Sequence, residues 1–199
     1  MSDVITAKGS DSKFTPHPEG QYIGVCVDVV NLGEKVQDFP GTTKYLASTC
    51  ALVFRTGETN AETGEYIDIA REFTVSMGEK ANLRKFLEQW RGRPYGKDDI
   101  EKGVPLHKLE GQPALLTVSH KVSAKNRTYA NITACVGVPK QMANTVTQYA
   151  DYERAEYWTE KKKAYAEEAA RFRADSTPPA EHDEEYANAL ADGPDDFPF

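Results

Sequence analysis

The C-terminal residues Asp192, Asp195, Asp196, Phe197, Pro198 and Phe199 set three carboxylates beside two rings and the chain's terminal α-carboxylate, a composition that cannot build a core. The chemistry open to them is recognition. The Phe199 ring and the terminal charge leave the chain together, Pro198 stiffens their approach, and an apolar socket rimmed by Arg or Lys would hold both. A second set of residues suits a polyanion. Lys35, Phe39, Lys44, Tyr45, Arg55, Arg71, Lys121, Lys125, Arg127 and Tyr129 interleave cations with rings, and Arg91, Arg93 and Tyr95 repeat the combination in a stretch carrying Gly and Pro. Cations that track phosphates, beside rings that stack on bases, are the ingredients of sequence-tolerant binding to single-stranded nucleic acid.

Positioning these side chains falls to a run of short strands. Ile23, Val25, Val27 and Val29 alternate with smaller or polar residues and predict a first strand over Tyr22 to Val30, followed by a loop from Asn31 to Thr43. A second strand, Lys44 to Arg55, puts Leu46, Cys50, Leu52 and Phe54 on its core face, and a third, Tyr66 to Val75, returns with Ile67, Ile69, Phe73 and Val75 on one face. Arg71 shares that parity and so belongs at a rim or a bulge. Ser76-Met77-Gly78-Glu79 has the form of a capping box, predicting a helix from Ser76 whose apolar stripe is Leu83, Phe86, Leu87 and Trp90 and whose stop is Gly92. Two further strands follow: Pro113 to Lys121, with Leu116 and Val118 inward, and Tyr129 to Val136, with Ile132, Ala134 and Val136 inward. A last helix is expected over Ala150 to Ala174. Its seam of Ala155, Trp158, Tyr165, Ala169 and Phe172 spans under three heptads, which favours packing back on the body over a self-associating coiled coil and leaves monomer and dimer both open.

The 199 residues suffice for one cored domain with a tail. The net charge of -7 argues against nucleic acid until it is divided along the chain. Residues 1–140 carry 18 Lys and Arg against 17 Asp and Glu, whereas residues 141–199 carry 6 against 14, and all eight carboxylates after Arg173 stand without a basic residue. A near-neutral body is compatible with a basic groove, and the acid belongs to the tail. Cys26, Cys50 and Cys135 lie far apart in apolar runs and read as reduced core thiols, while the four His form no ligand spacing, so neither a disulfide, a metal nor another cofactor is expected. No apolar run reaches membrane length and the N-terminus lacks a signal-peptide pattern, which points to the cytoplasm. The chain has no phosphate-binding Gly-x-x-x-x-Gly-Lys-Ser/Thr loop, no Gly-x-Ser-x-Gly elbow and no His-Glu-x-x-His helix, and it is not expected to be an enzyme.

Strand, strand, strand, helix, strand, strand is the element order of the OB-fold, a mainly β five-stranded barrel whose second and third strands, with the loops joining strands one to two and four to five, bind oligonucleotides. The body resembles OB-fold single-stranded-DNA-binding proteins, and Asp195, Asp196, Phe197, Pro198 and Phe199 are similar to the acidic Asp-Asp-x-Pro-Phe tip of bacterial and phage members. The N-terminal arm and charged C-terminal helix set the chain closer to the phage-encoded members. Composition and periodicity divide the chain into a flexible arm over 1–19, a domain over 20–140, a helical extension over 141–174 and a disordered acidic tail over 175–199, and the resemblance implies that 20–140 is the DNA-binding domain. The resemblance further implies DNA protection in replication, recombination or repair, with the tip recruiting replication or repair enzymes. The alternative is an adaptor or decoy that displays the tip to a host socket and never touches DNA.

Overall fold

The computed structural model describes residues 15–38, 43–123, 126–139, 141–142 and 146–176. Phe39, Lys125 and the tip residues Asp192, Asp195, Asp196, Phe197, Pro198 and Phe199 lie outside the described residues, as do positions 1–14 of the expected arm. The arm's remainder is anchored. His17 is 2% exposed, with Nε2 2.7 Å from Thr56 Oγ1 and Nδ1 2.9 Å from Pro18 O, and its ring meets Tyr22 edge-on.

Five antiparallel strands form one sheet in the order β3-β2-β1-β4-β5. β1 spans Gly20–Gln37 and continues through the segment where Gly33 and polar composition predict a loop. Its pairing with β2 (Tyr45–Arg55) holds from Asn31↔Cys50 to Gln37↔Tyr45. Two register shifts in that ladder bracket Val27 and Leu32, and each such bulge reverses which residues face which side. Tyr22, Cys26 and Val29 therefore pack with the main core, while Val30 and Leu32 are buried on the opposite face. On β2, Cys50, Leu52 and Phe54 point into the main core as their spacing predicts, and Ala51 and Val53 are buried behind them.

β3 is Ile69–Thr74, shorter than predicted: Ile69 and Phe73 are buried, but Val75 is exposed and Tyr66 makes only an isolated bridge to Thr59. Helix α1 (Asn82–Arg91) begins six residues after the expected capping box, because Ser76 Oγ accepts from the Gly78 amide in a local turn and Ala81 occupies the cap position. Its stripe of Leu83, Phe86, Leu87 and Trp90 is buried on the sheet, and Gly92 ends it at φ 71°, both as predicted. The long connection to β4 (Pro113–Val122) holds the short helix α2 (Lys97–Glu101) and a 3-10 turn, Leu106–Leu109. In β5 (Thr128–Val136) a bulge leaves Thr133 between the pairs Thr117↔Ala134 and Val118↔Ile132. The inward residues are consequently Ile132 and Cys135, not Ala134 and Val136. All three cysteines are free and buried.

Helix α3 (Glu156–Ser176) starts later and ends later than expected and packs back on the second face of the sheet, where Trp158 covers Val30, Leu32, Ala51 and Val53. Lys161 bonds to Glu72 of β3, Tyr165 donates to the same carboxylate at 2.8 Å, and Arg173 pairs with Glu34 of β1. Ahead of the helix, Arg154 makes a bidentate pair with the buried Asp28 at 2.6 and 2.7 Å. The sheet thus lies between α1 and α3. It is not closed into the expected barrel: among the described residues no ladder joins the edge strands β3 and β5. Their approach is bridged instead by Arg71, whose Nη1 donates to Ile132 O at 2.8 Å. No helix among the described residues is long and apolar enough to cross a membrane.

Candidate nucleic-acid interface

A cleft of about 890 Å³ opens between β3, the segment leading into α1 and the first residue of β2, with Tyr45, Arg71, Phe73, Lys80 and Asn82 among its walls. Tyr45 is 45% exposed, fixed in register by pairing with Gln37 at the end of the β1–β2 ribbon, and its neighbour Lys44 pairs with Asp38 at 3.0 Å. A second cleft, of about 310 Å³, is lined by Ile67, Asp68, Ala70, Tyr129 and Tyr157. The two meet at Glu72, which lines both. That carboxylate opposes phosphate binding, and Lys161 offsets it. Desolvation acts to lower the Lys161 pKa, but hydrogen bonds with Glu72 and Tyr157 carry it above its ordinary value, so the ammonium stays charged beside the carboxylate.

Tyr129 is 41% exposed and sits opposite Lys121 in the β4–β5 ladder. The hairpin that carries them is closed by Ser123, whose amide donates to Arg127 O at 2.9 Å and whose hydroxyl accepts from the Arg127 amide at 3.1 Å, with Asn126 in the left-handed region at φ 56°. Lys121 and Arg127 are both exposed there. One ring and two cations are therefore presented at this tip, and another ring and cation at the start of β2.

Other members of the expected set are committed elsewhere. Arg55 forms a bidentate pair with Asp68 at 2.7 and 2.8 Å and lies against the rings of Tyr66, Tyr149 and Tyr152. The Asp68 hydrogen bond raises its pKa, and with its side chain 11% exposed it ties β2 to the segment before α3. Arg71 is half-buried, its pKa lowered by desolvation, and it spans the seam between the edge strands while lying 5.2 and 5.4 Å from the Phe73 and Phe86 ring centres. Lys35 stands 4.8 Å over the Tyr165 ring on the α3 face. Arg91 and Tyr95 stack on each other at 4.1 Å, with exposed Arg93 between them in sequence. Tyr95 is held by its amide, which donates to Glu88 Oε1 at 3.0 Å. This patch lies at the far end of α1 from the cleft; ten helical residues separate the two by about 15 Å.

Sequence reasoning missed Lys80, Glu72 and Lys161. Lys80 was hidden because the capping-box pattern placed it inside a helix, where it reads as solvated surface. Lys161 and Glu72 are 89 residues apart and meet only through the docking of α3. Neither a protein-family model nor a curated protein sequence matches the chain.

Proposed function

We propose that the chain binds single-stranded DNA without sequence preference, on a partly open OB-fold, and recruits replication or repair enzymes through its acidic C-terminal tip. The strand order with α1 between β3 and β4 supports the fold, because the gap between β3 and β5 is where a five-stranded OB barrel closes. The observation that carries the function is the pair Tyr45 and Tyr129, exposed on either side of β3 with lysines beside them and clefts that meet at Glu72. Bases stack on the rings, and Lys80, Lys121 and Arg127 take the phosphates; such a site tolerates any sequence because every base offers a face. On this reading residues 20–140 are the DNA-binding body, 141–174 the helical brace, and the tail acts as the partner-binding handle in a bacterial cytoplasm. The test is protection of a single strand from nuclease, with unlabelled duplex as competitor. Protection that duplex does not reverse supports the reading; cleavage at the unprotected rate removes it.

A second reading has its own support. Asp68 and Asp38 neutralise Arg55 and Lys44, so part of the expected basic set is unavailable to phosphates. An adaptor that displays the tip and holds no DNA requires no free cations on the body. It predicts capture of the same enzymes with no protection of DNA.

A further inference from the structure

Two shallow hollows of about 300 and 400 Å³ adjoin at Arg91, Tyr95 and Leu109, beyond the C-terminal end of α1. Trp90 and Leu109 give the first an apolar floor, and the second runs out to Lys102 and Lys108. The trough thus carries three cations on its rim against one carboxylate, Asp99. Asp99 forms an ion pair with Arg91, 3.8 Å from Nη1, while Arg91 also stacks on Tyr95, and Lys102 and Lys108 are the exposed cations of the rim.

We propose that this trough is the docking site of the chain's own C-terminal tip, Asp195 to Phe199. Phe199 supplies the ring that an apolar floor takes, and its α-carboxylate with Asp195 and Asp196 supplies the anions that Arg91, Lys102 and Lys108 complement. The tether is long enough. Arg173 on Glu34 fixes where α3 ends, and Glu34 is eight residues along β1 from Cys26, whose amide donates to Gln112 O beside the trough. Eight strand residues cover about 26 Å, whereas the 18 residues 177–194 can reach about 60 Å when extended. A tethered tip is present at an effective concentration far above that of a free partner, so docking withholds Phe199 from other sockets until they compete for it. The proposal goes beyond DNA binding and does not depend on it, since the trough and the Tyr45 cleft lie at opposite ends of α1.

The experiment compares amide and indole NMR spectra of the full chain with those of its Phe199→Ala variant, a change that leaves every described contact in place. The Trp90 indole N–H, which donates to Pro113 O at 2.9 Å in the wall of the trough, is the reporter, together with the Leu109 and Gly137 amides. The expected result is that these three resonances shift in Phe199→Ala, independently of protein concentration. A peptide of residues 193–199 added to that variant moves them back, and the exposed changes Lys102→Glu and Lys108→Glu weaken the peptide's effect several-fold. Trough resonances indifferent to both Phe199 and peptide overturn the proposal. So do shifts confined to Tyr45 and Phe73, which place the tip in the other cleft, and shifts that vanish on dilution, which assign the tip to a second copy. Oligo-dT binding measured on the same samples reports separately on DNA binding, and its absence leaves the docking result standing.

Discussion

Tyr45 and Tyr129 are polar-edged rings on strand ends that no core requires, which is why their exposure points to stacking. Replacing either with Ala should weaken oligo-dT binding by about 1–3 kcal/mol, roughly 5- to 150-fold, in an anisotropy titration. Unchanged affinity in both variants removes the rings from the site. The three thiols are the opposite case, inert by burial. Desolvation pushes Cys26 up to about 12 and Cys50 up to about 11 from an ordinary 9.0, and it raises Cys135 as well. The folded state therefore holds protons that the unfolded chain releases first. This contribution to stability is complete below pH 9 and is lost as pH climbs through 11 to 12. At pH 8 a thiol reagent should modify none of the three in the native protein and all three in urea; one fast-reacting native thiol would contradict the burial. The cysteines were legible in the sequence because apolar neighbours in a strand predict burial directly. Arg55 was not, since its partner Asp68 stands 13 residues away across a hairpin whose register no local pattern reveals.

At the scale of elements, periodicity located the five strands, α1 and α3, and it failed where a single residue is inserted. The bulge at Thr133 turned Cys135 inward in place of Ala134, and the one at Val27 sent Val30 and Leu32 to the α3 face. An alternating pattern carries no mark of the residue at which it slips. Docking of α3 also explains why β2 is apolar on both faces, a sign readable from Ala51 and Val53 only once a cover for them is known. Trp158→Ala empties the centre of that contact and should destabilise the protein by about 3 kcal/mol in urea unfolding, while oligo-dT affinity changes little. Arg71→Met should cost about 1–2 kcal/mol, because Ile132 O loses its donor at the seam between β3 and β5. A neutral Arg71→Met would show that the seam is held by other contacts.

Across the whole molecule the charge is divided, with a body near neutrality and eight carboxylates after Arg173. The structure divides the body's charge again: Asp28, Asp38, Asp68 and Glu72 are each paired with a basic side chain, while Lys121 and Arg127 extend from the β4–β5 hairpin. Net charge alone could not reveal this, because pairing is a property of the fold. Whether the exposed cations and rings hold single-stranded DNA, as proposed, is read from the affinity of the full chain for oligo-dT as a function of salt. Log K should fall linearly with log salt as phosphate counterions are displaced, with the slope made shallower by Lys121→Glu and Arg127→Glu together. An affinity independent of salt, or no binding at low salt, would contradict the proposal.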